Sequence, residues 1–162
     1  MGEEPDGPEV RPPTVEDVRR ICGALHREGA RYVLIGGFAV ILQGGERTTK
    51  DIDLLVDPAP ENVARLKSAL AVLEDDAARD IEPTDLERYT VVRVADEVMV
   101  DLLAAACGVT WAEAEETAET VDLDGTPVRV ADRRTLIRTK QTVRPSDAAD
   151  RAWLQALIDG ES

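Results

Sequence analysis

Residues 32–56 read YVLIGGFAVILQGGERTTKDIDLLV. A short apolar run, Arg31 to Ile35 (RYVLI), enters Gly36-Gly37, and FAVILQ (38–43) follows with room for one or two helical turns before Gly44-Gly45. KDIDLLVD (50–57) is a second strand-like run with Asp51 and Asp53 at its start. Side chains two apart on a strand share a face, so these two carboxylates crowd together. Such a pair repels itself unless a cation or a positive group compensates. The apolar Leu54-Leu55-Val56 buries the strand and leaves the acids at its entering end, near the sheet's rim. Oxygen donors there suit Mg²⁺ or Mn²⁺, which complete their shells with substrate phosphates and water. Taken alone, an exposed strand end with two solvated acids explains the spacing equally well.

Three neighbours bear on that choice. Gly36 and Gly37 lie between a buried strand and a short helix, where glycine lets the backbone approach a ligand and helical N–H groups face a phosphate. A tight strand-to-helix turn needs the same residues. Arg47-Thr48-Thr49-Lys50 places basic and hydroxyl groups directly before the acids. Asp101 is the one charge inside VMVDLLAAA, and a buried acid there is expensive without a partner such as a metal held by Asp51 and Asp53. A strand-edge aspartate facing water is the other reading.

Outward from this stretch, Thr14 and Asp17 form a capping-box start for an amphipathic helix over about 14–28, stopped by Gly29. Pro58 and Pro60 open a helix striped by Val63, Leu66, Leu70 and Leu73, and 74–86 is acidic and irregular. Residues 88–94 and 97–103 read as strands joined by Ala95-Asp96, a short helix follows at about 109–116, and 120–130 is a hairpin turning at Asp124-Gly125. Asp132 caps a helix to about 143, Pro145 interrupts it, and Ser146 caps a last helix to about 158. The expected fold is α/β (α+β), a mixed sheet flanked by helices, with C-terminal helices. Residues 1–12, rich in Pro, Gly and acid, read as a disordered tail, and 13–160 as a single domain.

Composition narrows the function. With one histidine, His26, and with Cys22 and Cys107 far apart in apolar surroundings, neither a structural zinc site nor a histidine-based triad is supported. No apolar run reaches membrane-spanning length and no basic leader precedes one, so a cytoplasmic protein without a membrane partner is expected. A net charge of −14 argues against a long nucleic-acid track, yet permits a small anionic substrate held by a local basic cluster and a divalent metal.

The 32–56 string resembles the signature of the nucleotidyltransferase fold of the DNA polymerase beta superfamily, where a glycine turn precedes D-x-D and a third carboxylate sits on a later strand. It is most similar to small prokaryotic members of the abortive-infection toxin type, which show R-x-T-x-D-I-D. Arg47, Thr49, Asp51 and Asp53 fit that string in order. LIRTKQTVRPSDAADRAWL (136–154) is similar to the segment where such proteins carry a lysine, then Arg-Pro-x-Asp, then a second Asp: here Lys140, Arg144, Pro145, Asp147 and Asp150. The serine that many members place after the glycine is replaced by Phe38, and Asp101 is matched by order and apolar context only.

The resemblance implies metal-dependent transfer of a nucleoside monophosphate from an NTP to an acceptor: an RNA end, a protein or a small molecule. It implies Asp51, Asp53 and Asp101 as catalytic metal ligands, with Asp101 also helping to deprotonate the acceptor. Gly36, Gly37, Arg47, Thr48, Thr49, Lys140 and Arg144 are then the nucleotide-binding groups, ATP among the candidates. Lys140 and Arg144, four apart, are expected on one helix face; without the resemblance they read as a solvated cationic stripe. An antitoxin partner or a homodimer is implied in the same way. The alternative is a catalytically inactive nucleotide- or partner-binding module of the same fold. Asp147 and Asp150 receive no role.

Overall fold

A computed structural model of the protein describes residues 10–161; most of the expected tail, residues 1–9, lies outside the described residues. Arg11, within that expected tail, is tied to the domain, its backbone N–H donating to Glu97 O at 3.0 Å. The Arg11 guanidinium pairs with Asp17 at 2.7 Å and Glu97 at 3.0 Å.

Helix α1 (Val15–Arg27) starts at the capping box of Thr14 and Asp17 and buries Val18, Ile21, Cys22 and Leu25. Gly29, at φ +69°, turns the chain into β1 (Tyr32–Ile35). The short α2 (Gly36–Leu42) follows without a break, then β2 (Ile52–Val56) and α3 (Pro60–Leu70). The acidic stretch after α3 holds a turn of 3-10 helix (Ala77–Asp80) and the one-turn α4 (Asp85–Arg88). Buried Asp96 pins that stretch, accepting backbone N–H bonds from Asp75 at 2.8 Å and Ala77 at 2.7 Å.

Strands β3 (Val91–Ala95) and β4 (Met99–Leu103) form a hairpin, and β5 (Ala105–Ala106) with β6 (Val109–Thr110) a small ribbon. Arg88, expected at the start of a strand, instead ends α4, and the expected helix from 109 begins two residues later, as α5 (Trp111–Glu115), because Val109 and Thr110 pair in the ribbon. The hairpin of β7 (Glu119–Leu123) and β8 (Thr126–Val130) turns at Asp124-Gly125 as expected, both with positive φ. Helices α6 (Arg133–Thr139) and α7 (Pro145–Asp159) close the chain.

The six-stranded mixed sheet has the order β3-β4-β2-β1-β8-β7. Helix α1 packs on β8 and α3, while α2 packs on β1, β2 and α6, with α7 against α6. The central strands are therefore covered, which is why YVLI and LLV are buried runs without polar alternation. Leu34, Leu54, Leu55 and Leu102 are wholly excluded from water, each stabilising the domain by about 1.5–3 kcal/mol.

The C-terminal helices depart from the expected layout. The first ends at Thr139 with Lys140 as its C-cap, so it stops short of 143. Pro145 does not interrupt a helix; it opens one at the first helical position, with Arg144, not Ser146, as the N-cap. Proline's fixed φ and missing N–H suit that position, and its ring drives the preceding residue out of helical geometry. Lys140 and Arg144 consequently do not share a helix face. They flank the link between α6 and α7.

Candidate active site

Strand register assembles the acids. β1 and β2 are antiparallel with Ile35 opposite Asp53, and parallel pairing of β2 with β4 sets Asp53 beside Asp101. The β3–β4 hairpin then sets Arg93 opposite Asp101. One row thus crosses four strands: Arg93, Asp101, Asp53, Ile35. Asp51 lies just before β2, on the same side as Asp53. One oxygen from each of Asp51, Asp53 and Asp101 lies within 4.8 Å of the other two.

Gly36 and Gly37 press against this group. A Cβ on Gly36, whose φ is +74°, would lie 2.3 Å from Asp53 Oδ2, and one on Gly37 would lie 2.7 Å from Thr49 Oγ1. The space a side chain would take is filled by the site's own residues, so the glycines serve the approach of Asp53 and Thr49 as well as of a ligand.

A cavity of about 320 Å³ opens at the row, lined by Gly36, Gly37, Arg47, Thr49, Asp51 and Asp53. Cys107, Lys140, Thr142, Arg144 and Asp147 line it as well. Thr48 is exposed and lines the adjoining groove beside Trp153, not this cavity. Cys22 is buried, whereas Cys107 is exposed at the cavity rather than in the apolar setting expected of it.

The basic rim is held by acids from α7. Lys140 Nζ, with its side chain 6% exposed, lies 3.0 Å from Asp150 Oδ2 and 3.6 Å from Asp147 Oδ1. Arg47 pairs with the same Asp150, and Arg144 with Asp147 at 2.9 Å. Thr142 Oγ1 donates to Asp147 at 2.6 Å. Burial alone would raise the pKa of Asp147, but the Thr142 hydrogen bond and the Lys140 and Arg144 charges together hold it below the ordinary carboxylate value. Asp147 and Asp150 therefore position the three cations at the cavity. The sequence assigns neither a role: Asp147 has local partners in Thr142 and Arg144, but Lys140 and Arg47 meet Asp150 from other segments.

Arg93, which the sequence does not mark, joins the acid cluster. Its Nε and Nη2 donate to Asp101 Oδ1 and Oδ2 at 2.8 and 2.9 Å, and Nη2 lies 3.5 Å from Asp51. Even so the acids are under-compensated. Burial first, then the charges of Asp51 and Asp101, push Asp53 up to about 7, against the opposing effect of Lys140. Three oxygen donors this close, one of them unwilling to ionise without a cation, fit a hard divalent ion such as Mg²⁺ or Mn²⁺.

That raised pKa has a sign. Folded Asp53 holds its proton up to about pH 7, whereas the unfolded chain releases it near 3.8, so stability falls as pH rises through that window. Between pH 5 and pH 8, the Tm of the metal-free protein should drop further than that of Asp53→Asn, and Mn²⁺ should restore it at pH 8. Parallel profiles for the two proteins would contradict this.

A glycine turn, a row of strand-borne carboxylates and a basic rim on this mixed sheet define a nucleotidyltransferase. The crystal structure of a candidate nucleotidyltransferase from Thermotoga maritima is similar in fold, with a TM-score of 0.57 and 16% identity over 92% of this chain and 97% of that one. The family model described as nucleotidyl transferase AbiEii toxin, type IV TA system, matches residues 21–152, and the chain belongs to that family. No curated protein matches it in sequence.

Proposed function

We propose that this enzyme moves a nucleoside monophosphate from an NTP to an acceptor in a reaction dependent on Mg²⁺ or Mn²⁺, as the toxin of a cytoplasmic toxin–antitoxin pair with a cognate antitoxin as partner. The observation that carries this reading is the meeting of Asp51, Asp53 and Asp101 within 4.8 Å, the first two lining a cavity shared with Arg47, Lys140 and Arg144.

Asp51, Asp53 and Asp101 would hold the metal, which when bound neutralises charge on the phosphates as it shifts. An acceptor oxygen attacks the α-phosphorus, the bond to the β-phosphate oxygen breaks, and pyrophosphate leaves with that electron pair. Lys140, Arg47 and Arg144 face the β- and γ-phosphates and stabilise the departing charge by fixed electrostatics. Thr49 and the Gly36-Gly37 backbone line the same cavity and help position the phosphates. A proton from an acceptor hydroxyl passes to the carboxylates of the cluster. Asp101 is less suited to that task, because Arg93 occupies both its oxygens.

The test is incubation with Mg²⁺ and each α-labelled NTP, with total RNA, protein and small-molecule acceptors offered separately. Label transfer by the wild type, reduced at least about 10³-fold in an Asp51→Asn/Asp53→Asn variant, supports the reading and names the acceptor class. NTP binding without transfer to any acceptor would favour an inactive binding module. Absence of both sinks the site.

A further inference from the structure

The metal reading leaves one charge at the site without a task. Arg93 stands on β3, the edge of the sheet, with its side chain 57% exposed. Its guanidinium nevertheless reaches inward, takes both oxygens of Asp101 and approaches Asp51. These are two of the three carboxylates that would hold the metal.

Resting on that reading, we infer that Arg93 is the resident cation of the carboxylate cluster. It holds Asp101 and Asp51 together before a metal arrives and weakens metal binding to the nucleotide-free chain, so that the metal enters with the nucleotide. A bidentate guanidinium consumes the two best-placed lone pairs of Asp101 and cannot deprotonate, so a divalent ion taking those oxygens meets a fixed like charge at close range. Lys140 is confined by burial, but Arg93 sits half in water and its head is free to swing from the cluster at little packing cost. A nucleoside triphosphate brings phosphate oxygens that substitute for the ligation Asp101 withholds. Arg93 is thus a positioning residue that sets the order of metal and nucleotide binding.

The experiment is titration of the full chain with Mn²⁺, followed by the resonance of the free ion, with and without a non-hydrolysable NTP analogue. Without nucleotide, Arg93→Met is expected to bind Mn²⁺ at least about tenfold more tightly than the wild type. Addition of the analogue should tighten Mn²⁺ binding at least about tenfold in the wild type and by less in the variant. Arg93→Lys, which keeps the charge, should stay within about threefold of the wild type. Arg93→Gln serves in the same way if Arg93→Met does not fold. Equal or weaker Mn²⁺ binding by the neutral variants, or binding by Arg93→Lys as tight as theirs, overturns the inference. Mn²⁺ uptake by the wild type that neutral variants leave unchanged sinks this inference alone. No Mn²⁺ uptake by the wild type, with or without the analogue, fells the metal reading and this inference with it.

Discussion

A Gly36→Ala variant should lose nucleotidyl transfer by at least about 100-fold, equivalent to about 2.7 kcal/mol of barrier, while the domain still folds. The added methyl would fall 2.3 Å from Asp53 Oδ2 and 3.0 Å from its Cβ and Cγ. Such contacts are untenable, so Asp53 or the β1–α2 turn moves. The backbone adds to the problem, since φ there is +74° and an alanine in that region costs about 1–2 kcal/mol. Either response separates Asp53 from Asp51 and Asp101. Transfer assays beside thermal unfolding decide the matter. Near-wild-type activity would mean that the turn yields without disturbing the acid, and that the glycine is there only for the bend.

Lys140→Met should abolish transfer and also destabilise the domain by about 3 kcal/mol, read as a lower urea midpoint. The amine is almost wholly enclosed between Asp147 and Asp150, and its removal leaves two buried carboxylates short of a cation. Arg144 and Arg47 still reach them, which keeps the loss at the lower end for a broken buried pair. Adding Asp150→Asn should recover much of the stability, because one uncompensated charge disappears, yet none of the activity. A double variant that regains transfer would show that Lys140 holds Asp150 in check and does nothing for the phosphates.

The glycine turn and the paired acids of the candidate site were legible because they are local. Gly36-Gly37, the D-x-D and the buried strands around them all lie within 32–56, and strand alternation alone puts Asp51 and Asp53 on one side. Asp124-Gly125 was readable for a similar reason, as its residues demand the positive φ values that they adopt. Ala95-Asp96 carries no such instruction. A two-residue turn there would face Arg93 with Val98, whereas the observed turn spans Asp96 to Val98 and faces it with Asp101. A register error of that size hides a cross-strand ion pair completely.

The tail shows a signal that was present and misread. Four-residue spacing suggested a shared face for Lys140 and Arg144, but Pro145 restricts the residue before it, and Arg144 is extended, with ψ 135°. What joins the two cations is Asp147 on α7, which pairs with Arg144 three residues back and approaches Lys140 across the link.

The parts of the site are also spread in time. Gly36, Asp53, Asp101, Lys140 and Asp150 become available in that order as the chain is synthesised, and the basic rim is held only once α7 has docked on α6. A nascent chain that has folded its first strands and exposes two of its acids still lacks the third carboxylate and every cation placed by α7. The order of elements thus makes the docking of α7, which follows every acid of the cluster in the chain, the step that completes the basic rim.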